Sequence, residues 1–276
     1  MDYRYAVTPT ESSHYSTQEL RDTFLVTNLF QPDEVTMTYS HLDRVVIGGI
    51  VPVTREITLD DHGTFHSAYF LERREIGIVN IGGEGFIRVE GHDYSLRKMD
   101  CLYIGRGVKE VILESVDASN PAHFYFVSTP AHCTYPTKLM NKNEAEAVVL
   151  GDVTSSNQRT LRRYIHAHGI QSCQLMLGIT ELHEGNMWNT MPAHVHDRRM
   201  EVYLYFGLDD ENAIIHLMGQ PSETRHIIVA NEQAVLSPSW SIHSGVGTKN
   251  YSFIWAMAGE NYDFEDMDVV STSNLR

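Results

Sequence analysis

The sequence has 276 residues, of which 42% are hydrophobic and 10% are aromatic. This length and composition allow one large domain or two smaller ones around a substantial core, which excludes wholesale disorder. The chain carries 36 acidic and 21 basic residues, a formal net charge of −15. Such a charge repels nucleic acid backbones and anionic lipid surfaces, so we expect neither nucleic acid nor membrane as a partner.

The sequence also predicts a cytoplasmic protein. The three cysteines, Cys101, Cys133 and Cys173, lie far apart without CxxC spacing, which suits a reducing compartment better than a disulfide framework. The N-terminal segment MDYRYAVTPTE lacks the apolar core of a secretory signal. The longest uncharged apolar stretch, from Val45 to Thr54, is only half of the roughly 20 residues that span a bilayer.

Most of the chain is predicted to form short strands. β-Branched and aromatic segments are punctuated by Gly, Asp and Asn, a pattern typical of all-β barrels or sandwiches. In chain order, the predicted strands are 45–53, 76–81, 85–90, 101–104, 111–113, 123–127, 173–182, 201–206, 213–218, 226–229, 234–236 and 251–257. Helices are predicted at 17–24 and 143–148, and the polar stretch 129–160 is predicted to be a linker.

The two halves of the chain resemble a degenerate internal repeat. A charged segment, LERREIG at 71–77 or DRRMEV at 197–202, precedes a glycine-containing hairpin and then MDCLYIGRGVKEV or EQAVLSPSWSIHSG. We therefore expect Glu75 to match Glu201, and Lys109 to match His243. A repeat of this size predicts two domains, at 1–140 and 141–276.

The strongest chemical signal is His194-x-His196-x4-Glu201, followed some forty residues later by Pro238-x-Trp240-x2-His243. Alternate residues of a strand face the same side, so His194 and His196 are expected to point together. Three imidazoles and one carboxylate form a nitrogen and oxygen set that suits Zn, Fe, Mn, Ni or Co. The sequence therefore predicts a metal site with open coordination positions.

This pattern resembles the cupin superfamily, and the duplicated layout resembles a bicupin, in which each half folds as a double-stranded β-helix or jelly-roll barrel. More closely, the chain resembles the 5-keto-4-deoxyuronate isomerase family. The segments that carry this resemblance are YSHLDRVVIGGIVPV, YFLERREIGIVNIGG, PAHCTYPTKL, WNTMPAHVHDRRMEVYLYF, MGQPSETRHI and NEQAVLSPSWSIHSGVGTK. They are distributed over nearly the whole chain.

The resemblance implies that His194, His196, Glu201 and His243 bind one zinc ion per chain, with another divalent transition metal as the alternative. In the first half, the matching positions are Ala68, Phe70, Glu75 and Lys109, so the N-terminal barrel is expected to hold no metal and to serve packing and subunit contact. The family resemblance further implies a homo-oligomer, with a hexamer as the expected form.

The implied reaction interconverts 5-dehydro-4-deoxy-D-glucuronate, also named 4-deoxy-L-threo-5-hexosulose uronate, and 3-deoxy-D-glycero-2,5-hexodiulosonate in the breakdown of pectin and other uronates. A divalent metal suits this exchange of a carbonyl and a hydroxyl, because it stabilises the negative charge that develops on oxygen. A base must also move a proton. The candidates are His226, Tyr203, Tyr205 and a hydroxide on the metal.

The uronate carboxylate requires a cation in this acidic protein. Arg199 shares the strand face of Glu201, which favours it over Arg198. Trp240 stands where the general cupin pattern has glycine, and it is expected either at the pocket mouth or in the core. The remaining candidates for substrate contact are Arg162, Arg163, Arg225, Gln220 and Thr190.

Two other functions remain open from the residues alone. A cupin dioxygenase uses the same three-histidine, one-glutamate set to bind Fe(II) and O₂. A non-catalytic bicupin binds or stores a sugar and needs no metal. The second is disfavoured because the ligand set is complete in one half and dismantled in the other.

Overall fold

A computed structural model describes residues 1–60, 63–260, 262–263 and 265–276. This part of the chain consists mainly of short β-strands, with two α-helices and three single-turn 3-10 helices at Phe70–Glu72, Val153–Ser155 and Thr272–Asn274. The predicted all-β class is confirmed. None of the helices in the described ranges is long and apolar enough to cross a bilayer.

The two α-helices lie close to the N-terminus, with α1 at Pro9–Ser13 and α2 at Thr17–Phe24. Ser16 and Glu19 form a capping box that begins α2: the Glu19 amide donates to the Ser16 hydroxyl at 3.3 Å, and the Ser16 amide donates to the Glu19 carboxylate at 2.7 Å. The predicted helix at 17–24 is therefore confirmed.

The strands form two seven-stranded sheets, two four-stranded sheets and one pair. In chain order they are β1 Asp2–Arg4, β2 Leu25–Val26, β3 Val35–Ser40, β4 Val46–Ile50, β5 Ile57–Thr58, β6 Arg74–Asn80, β7 Gly85–Val89, β8 His92–Leu96, β9 Cys101–Ile104, β10 Val111–Ser115, β11 Phe124–Pro130, β12 Lys138–Met140, β13 Glu146–Leu150, β14 Arg159–Ile165, β15 Met176–Leu182, β16 Trp188–Asn189, β17 His194–Val195, β18 Arg199–Phe206, β19 Ile214–Gln220, β20 Glu223–Val229, β21 Gln233–Ser237, β22 Ser244–Gly247, β23 Ser252–Gly259 and β24 Asp268–Val269.

The sheets repeat one strand order. The seven-stranded sheets run β1-β3-β4-β11-β6-β9-β12 and β13-β14-β15-β23-β18-β21-β2, and the four-stranded sheets run β5-β10-β7-β8 and β16-β22-β19-β20. Position by position, β6 therefore corresponds to β18, β9 to β21 and β7 to β19. The internal repeat seen in the sequence is a repeat of barrel topology.

The chain forms two compact units, each assembled from separate segments. The first contains Met1–Tyr3, Asn28–Glu146 and Tyr164–Leu177, and the second contains Arg4–Thr27, Ala147–Arg163 and Gly178–Arg276. This differs from a single division after residue 140. Residues 4–27 join the second unit because β2 pairs with β21, with Leu25 opposite Val235.

The predictions for the stretch 129–160 were wrong in two respects. The segment predicted as a helix at 143–148 instead overlaps the strand β13, and β12 lies within the predicted linker. The β-branched Val148 and Val149 favour an extended backbone, and β13 lies beside β14 at the edge of a sheet. Strand pairing therefore outweighed a weak helical pattern.

The expected match between Glu75 and Glu201 was also wrong, because their side chains lie on opposite faces of the corresponding strands. Ile76 and Ile78 of β6 belong to the buried core of the first barrel, together with Ile87 of β7. Since neighbouring residues of a strand alternate between faces, Glu75 points away from that core. The strand positions agree, since Ile76 is the third residue of β6 and Glu201 is the third residue of β18.

Glu75 is fully buried and accepts five hydrogen bonds within the first unit. Three come from the backbone amides of Cys173, Gln174 and Leu175, at 2.7, 3.0 and 3.0 Å. The other two come from the hydroxyls of Tyr103 at 2.7 Å and Thr129 at 3.1 Å. A structural carboxylate of this kind ties residues 173–175 to β6.

We expect Glu75→Gln to destabilise the first unit by about 1.5–3 kcal/mol, because the new amide NH₂ group faces at least one donor and the charge-assisted bonds are lost. The urea midpoint of the variant reports this loss. Glu56→Gln is the matched control, since Glu56 is exposed beside Arg88 and its change should stay within about 0.5 kcal/mol. Equal midpoints for the two variants would contradict the assignment.

Candidate metal centre

Three histidines and one glutamate converge in the second unit. His194 begins β17, His196 lies just beyond that strand, Glu201 is the third residue of β18, and His243 immediately precedes β22. One nitrogen or carboxylate oxygen from each side chain lies within 4.8 Å of the others. The structure thus brings together the four residues that the sequence spacing singled out.

The donor atoms of these four side chains lie close together in a largely buried position. Oε2 of Glu201 lies 3.0 Å from Nε2 of His196 and 2.8 Å from Nε2 of His243, and the Nε2 atoms of His194 and His243 are 2.9 Å apart. Nδ1 of His196 donates to the carbonyl of Arg199 at 2.9 Å, which leaves the lone pair of its Nε2 directed inward. Convergent lone pairs fit a bound divalent cation.

The charges of the cluster are consistent with this fit. Burial acts to raise the pKa of Glu201, but the charge of His243 and hydrogen bonds with His196 and His243 outweigh it and lower that pKa. Burial and then the charge of His243 lower the pKa of His194 to about 3. Burial also opposes charge on His196, yet its hydrogen bond with Glu201, the charge of Glu201 and the hydrogen bond with the Arg199 carbonyl together outweigh burial and raise the pKa of His196. The cluster therefore offers an ionised carboxylate and at least one neutral imidazole at neutral pH.

Tyr203 and Tyr205 share the face of β18 that carries Glu201. The Tyr203 hydroxyl lies 3.0 Å from Oγ1 of Thr190, and the Tyr205 hydroxyl lies 2.8 Å from Nδ1 of His216. Burial raises the pKa of both phenols well above the usual value. Both tyrosines therefore remain protonated at neutral pH and act as hydrogen-bond donors rather than as bases.

His216 is a buried residue of the site that sequence reasoning missed. Burial, followed by the charge of His243, lowers its pKa to about 3. Its Nε2 has no hydrogen-bond partner among the described residues. The sequence did contain a signal for His216. It alternates with Ile214 and Met218 on the predicted strand 213–218, and this alternation places all three side chains on one face.

A cavity of about 190 Å³ opens beside the cluster, and its lining includes His194, Glu201 and Tyr203. The other polar lining residues are Arg159, Thr180 and Thr190. Its apolar wall consists of Leu150, Leu161, Pro192, Phe253, Trp255, Met257 and Met267. A small cavity with one apolar wall and a few convergent polar groups suits a small molecule.

Arg159 is the one arginine or lysine among the described residues that line this cavity. Its Nη1 donates to the carbonyl of Asn157 at 2.8 Å, and burial lowers its pKa. Arg159 and Leu161 alternate on β14 and both face the cavity, whereas the intervening Thr160 does not line it. Sequence reasoning selected Arg162 and Arg163 on the same strand and missed Arg159.

The other arginines selected from the sequence are engaged outside the cavity. Arg199 is buried and donates to the carbonyls of Asp263 and Asp266, the latter at 3.1 Å. Arg198 pairs with Glu260 at 3.2 Å on the surface.

Two further arginines bond to other parts of the second unit, and four more selected residues do not line the cavity. Arg162 pairs with Glu181 at 3.0 Å, and Arg225 donates to the carbonyls of Ser13 and Tyr15. Arg163 is half-buried on β14, His226 and Gln220 are exposed, and the half-buried Trp240 contacts Phe24 edge to face at 6.5 Å.

In the first unit, the positions matched to the histidines lie together without imidazoles. Ala68, Phe70 and Lys109 all line a cavity of about 620 Å³. Ile76, the counterpart of Glu201, is buried in the neighbouring apolar core. Because Ala, Phe and Ile supply no lone pairs, these positions cannot hold a metal as their counterparts can.

A family model described as the KduI/IolB family matches residues 24–271. The chain belongs to the KduI/IolB family. A member from Halalkalibacterium halodurans, named 4-deoxy-L-threo-5-hexosulose-uronate ketol-isomerase, is 56% identical over the full length of both chains. A protein of the same name from Escherichia coli O139:H28 is 52% identical, again over both full chains. The resemblance recognised in the sequence is confirmed.

Solved structures confirm the cupin-like fold of this KduI/IolB family member. An IolB-like protein from Salmonella typhimurium LT2 superposes with a TM-score of 0.71 at 15% identity, over 90% of this chain and 96% of that chain. A variant of oxalate decarboxylase from Bacillus subtilis gives a TM-score of 0.58 at 10% identity, over 79% and 70%. At such identities the likeness concerns the fold alone.

We expect His196→Ala and Glu201→Gln each to retain one metal ion fewer per chain than wild type, because each removes one donor from a four-donor set. Elemental analysis after dialysis against metal-free buffer measures the metal content per chain. His226→Ala is the control, since His226 is exposed on β20 and should leave retention unchanged. Wild-type metal content in both site variants would exclude this cluster as the metal site.

Proposed function

We propose that this protein is a metal-dependent ketol-isomerase that interconverts 4-deoxy-L-threo-5-hexosulose uronate and 3-deoxy-D-glycero-2,5-hexodiulosonate. The observation that carries the proposal is identity of 52–56% over the full chain with proteins named for the first of these compounds. The buried donor cluster beside a small cavity supports it, because the reaction needs charge stabilisation at two adjacent oxygens. The protein is an isomerase of the aldose–ketose type.

The reaction exchanges an aldehyde and the neighbouring hydroxyl. The hydrogen on C2 moves to C1 and the hydroxyl proton on O2 moves to O1, so the aldehyde becomes a primary alcohol and C2 becomes a ketone. When bound by His194, His196, Glu201 and His243, a divalent metal supplies Lewis-acid charge for the developing negative oxygens. We propose that these four residues hold one zinc ion per chain, because nitrogen and carboxylate donors of this kind suit zinc.

Tyr203 is proposed to hold a substrate oxygen by hydrogen bonding. It lines the cavity together with His194 and Glu201, and its raised pKa keeps the phenol protonated. Thr190 at 3.0 Å orients the hydroxyl. Neither His226 nor Tyr205 is proposed as the base that moves the proton. His226 is exposed, and the phenol of Tyr205 is protonated and hydrogen-bonded to His216.

Arg159 is proposed to bind the substrate carboxylate. The aldehyde and the carboxylate stand at opposite ends of the six-carbon chain, so an anchor in the same cavity as the metal donors orients the reacting end. A guanidinium can grip a carboxylate through two parallel hydrogen bonds. The apolar wall, including Phe253 and Trp255, excludes water and strengthens this contact.

The wider setting is also proposed. Degradation of pectin and other uronates in the bacterial cytoplasm would supply this substrate, and three unpaired cysteines suit a reducing compartment.

The first barrel is proposed to serve packing and assembly. Ile215 and Ile228 pair on β19 and β20 and are both exposed, which favours a homo-oligomer, with a hexamer as the proposed form. Light scattering of the purified protein measures its mass.

The direct test incubates the zinc-loaded protein with the 4-deoxy-5-keto-uronate and follows the product by NMR. We expect conversion by wild type and a loss for His243→Ala beyond the roughly 10- to 100-fold typical of residues that merely orient a ligand. His226→Ala should convert at the wild-type rate. Absence of conversion by the loaded wild type, or oxygen consumption with a catechol, would overturn the assignment.

The Arg159 assignment has its own test. We expect Arg159→Gln to lower kcat/KM by about 10- to 100-fold, mainly through KM, because a charged hydrogen bond to a carboxylate is worth about 1.5–3 kcal/mol. Arg162→Gln is the matched control on the same strand, since Arg162 pairs with Glu181. The KM of Arg159→Gln should differ less from the KM of wild type when the substrate is the methyl ester. Equal KM values for Arg159→Gln and wild type on the free acid would exclude this role.

A further inference from the structure

A second group of metal-binding side chains lies in the first unit. His132, Cys133 and Cys173 each place one ligand atom within 4.8 Å of the others. The two thiol sulfurs are 3.4 Å apart. The proposed isomerase reaction uses none of these residues, and both thiols are at least partly accessible.

The backbone around the cluster is fixed on both sides. The amide of Ala131 donates to the carbonyl of Arg73 at 2.9 Å, and its carbonyl accepts from Nη1 of Arg106 at 3.0 Å. On the other side, the amide of Cys173 donates to the buried Glu75 carboxylate at 2.7 Å. The ligands therefore come from two loops already held in place, as a preorganised site requires.

The two cysteines also contact one another through their backbones. The amide of Cys133 donates to Sγ of Cys173 at 3.4 Å, and the thiol of Cys173 donates to the carbonyl of Cys133 at 3.3 Å. Both sulfurs thus occupy one small volume beside the imidazole of the neighbouring His132. The carboxylate of Glu75, bonded to the Cys173 amide, adds negative charge that favours a cation nearby.

The spacing of the sulfurs fits a shared metal better than a covalent bond. With Zn–S bonds of about 2.3 Å at a tetrahedral angle, two thiolates lie about 3.8 Å apart. A disulfide requires about 2.05 Å. The sulfur–sulfur distance of 3.4 Å in the structure is closer to the distance across a shared zinc ion than to the length of a disulfide bond.

We infer that His132, Cys133 and Cys173 form a second metal site, which takes a thiophilic divalent ion such as Zn²⁺. Thiolate and imidazole are both zinc ligands in proteins, and two thiolates, one imidazole and one water form an open tetrahedral zinc site. Binding converts two thiols and a divalent cation into a neutral dithiolate complex and releases two protons to solvent. The ion would tie the loop after β11 to residues 173–175, next to the tie made by Glu75.

Cobalt substitution tests this inference independently of catalysis. The full chain, stripped of metal and reduced with a phosphine, is titrated with Co²⁺ under argon. Thiolate ligands give a charge-transfer absorption in the near ultraviolet, whereas a site of three histidines and one glutamate contains no thiolate and gives none. We expect this absorption in wild type and in His243→Ala, which separates the outcome from that of the proposed isomerase site.

Cys133→Ser and Cys173→Ser should each lose the absorption and bind one fewer metal ion per chain, with isomerase activity unchanged. Cys101→Ala is the matched control, since Cys101 is the buried thiol outside the cluster, and it should retain the absorption. Near-ultraviolet circular dichroism verifies that each variant is folded. Zinc should also raise the melting temperature of His243→Ala but not that of its Cys133→Ser double variant.

Two results would overturn the inference. One is a reduced, folded wild-type protein that shows no thiolate-to-cobalt absorption. The other is an absorption that survives in a folded Cys133→Ser or Cys173→Ser variant. A chain purified in air whose mass is lower by two hydrogens, and which takes up no thiolate-bound cobalt after reduction, would identify the pair as a disulfide instead.

Discussion

The buried carboxylate of Glu201 is the group on which the rest of the second unit depends. Its Oε2 lies within 3.0 Å of Nε2 atoms of His196 and His243, and the nitrogens of His194 and His243 lie 2.9 Å from each other. Burying a carboxylate costs several kcal/mol unless an opposite charge or strong hydrogen bonds compensate it. In the structure, the imidazoles of His196 and His243 compensate it by hydrogen bonding, and the proposed divalent cation would add opposite charge at the same point.

Strand alternation then decides which side chains reach this point. On β18, Glu201, Tyr203 and Tyr205 share the inner face. The corresponding β6 of the first unit turns Ile76 and Ile78 inward, and its carboxylate, Glu75, binds backbone amides on the other side. One topology thus supports an interior with a histidine and glutamate cluster in one copy and an apolar interior in the other.

The fold class, most strands and the four donor residues could be read from the sequence because they follow from local periodicity and short spacing. His194 and His196 are two residues apart, and Glu201 follows within the next strand. The match of Glu75 with Glu201 failed because aligning charged motifs ignores a shift of one residue, and one residue reverses the face of a strand. The helix predicted at 143–148 failed because sheet pairing outweighed its weak periodicity.

The sequence by itself therefore determined the all-β repeat, the family and the set of candidate metal donors. Only the tertiary structure decided that Arg159, rather than Arg199 or Arg162, lines the cavity, and that Cys133 and Cys173 meet although forty residues separate them. These outcomes depend on which strands pair and in which register, and on where distant loops are anchored. Such contacts depend on the packing of the whole barrel, which no short stretch of sequence encodes.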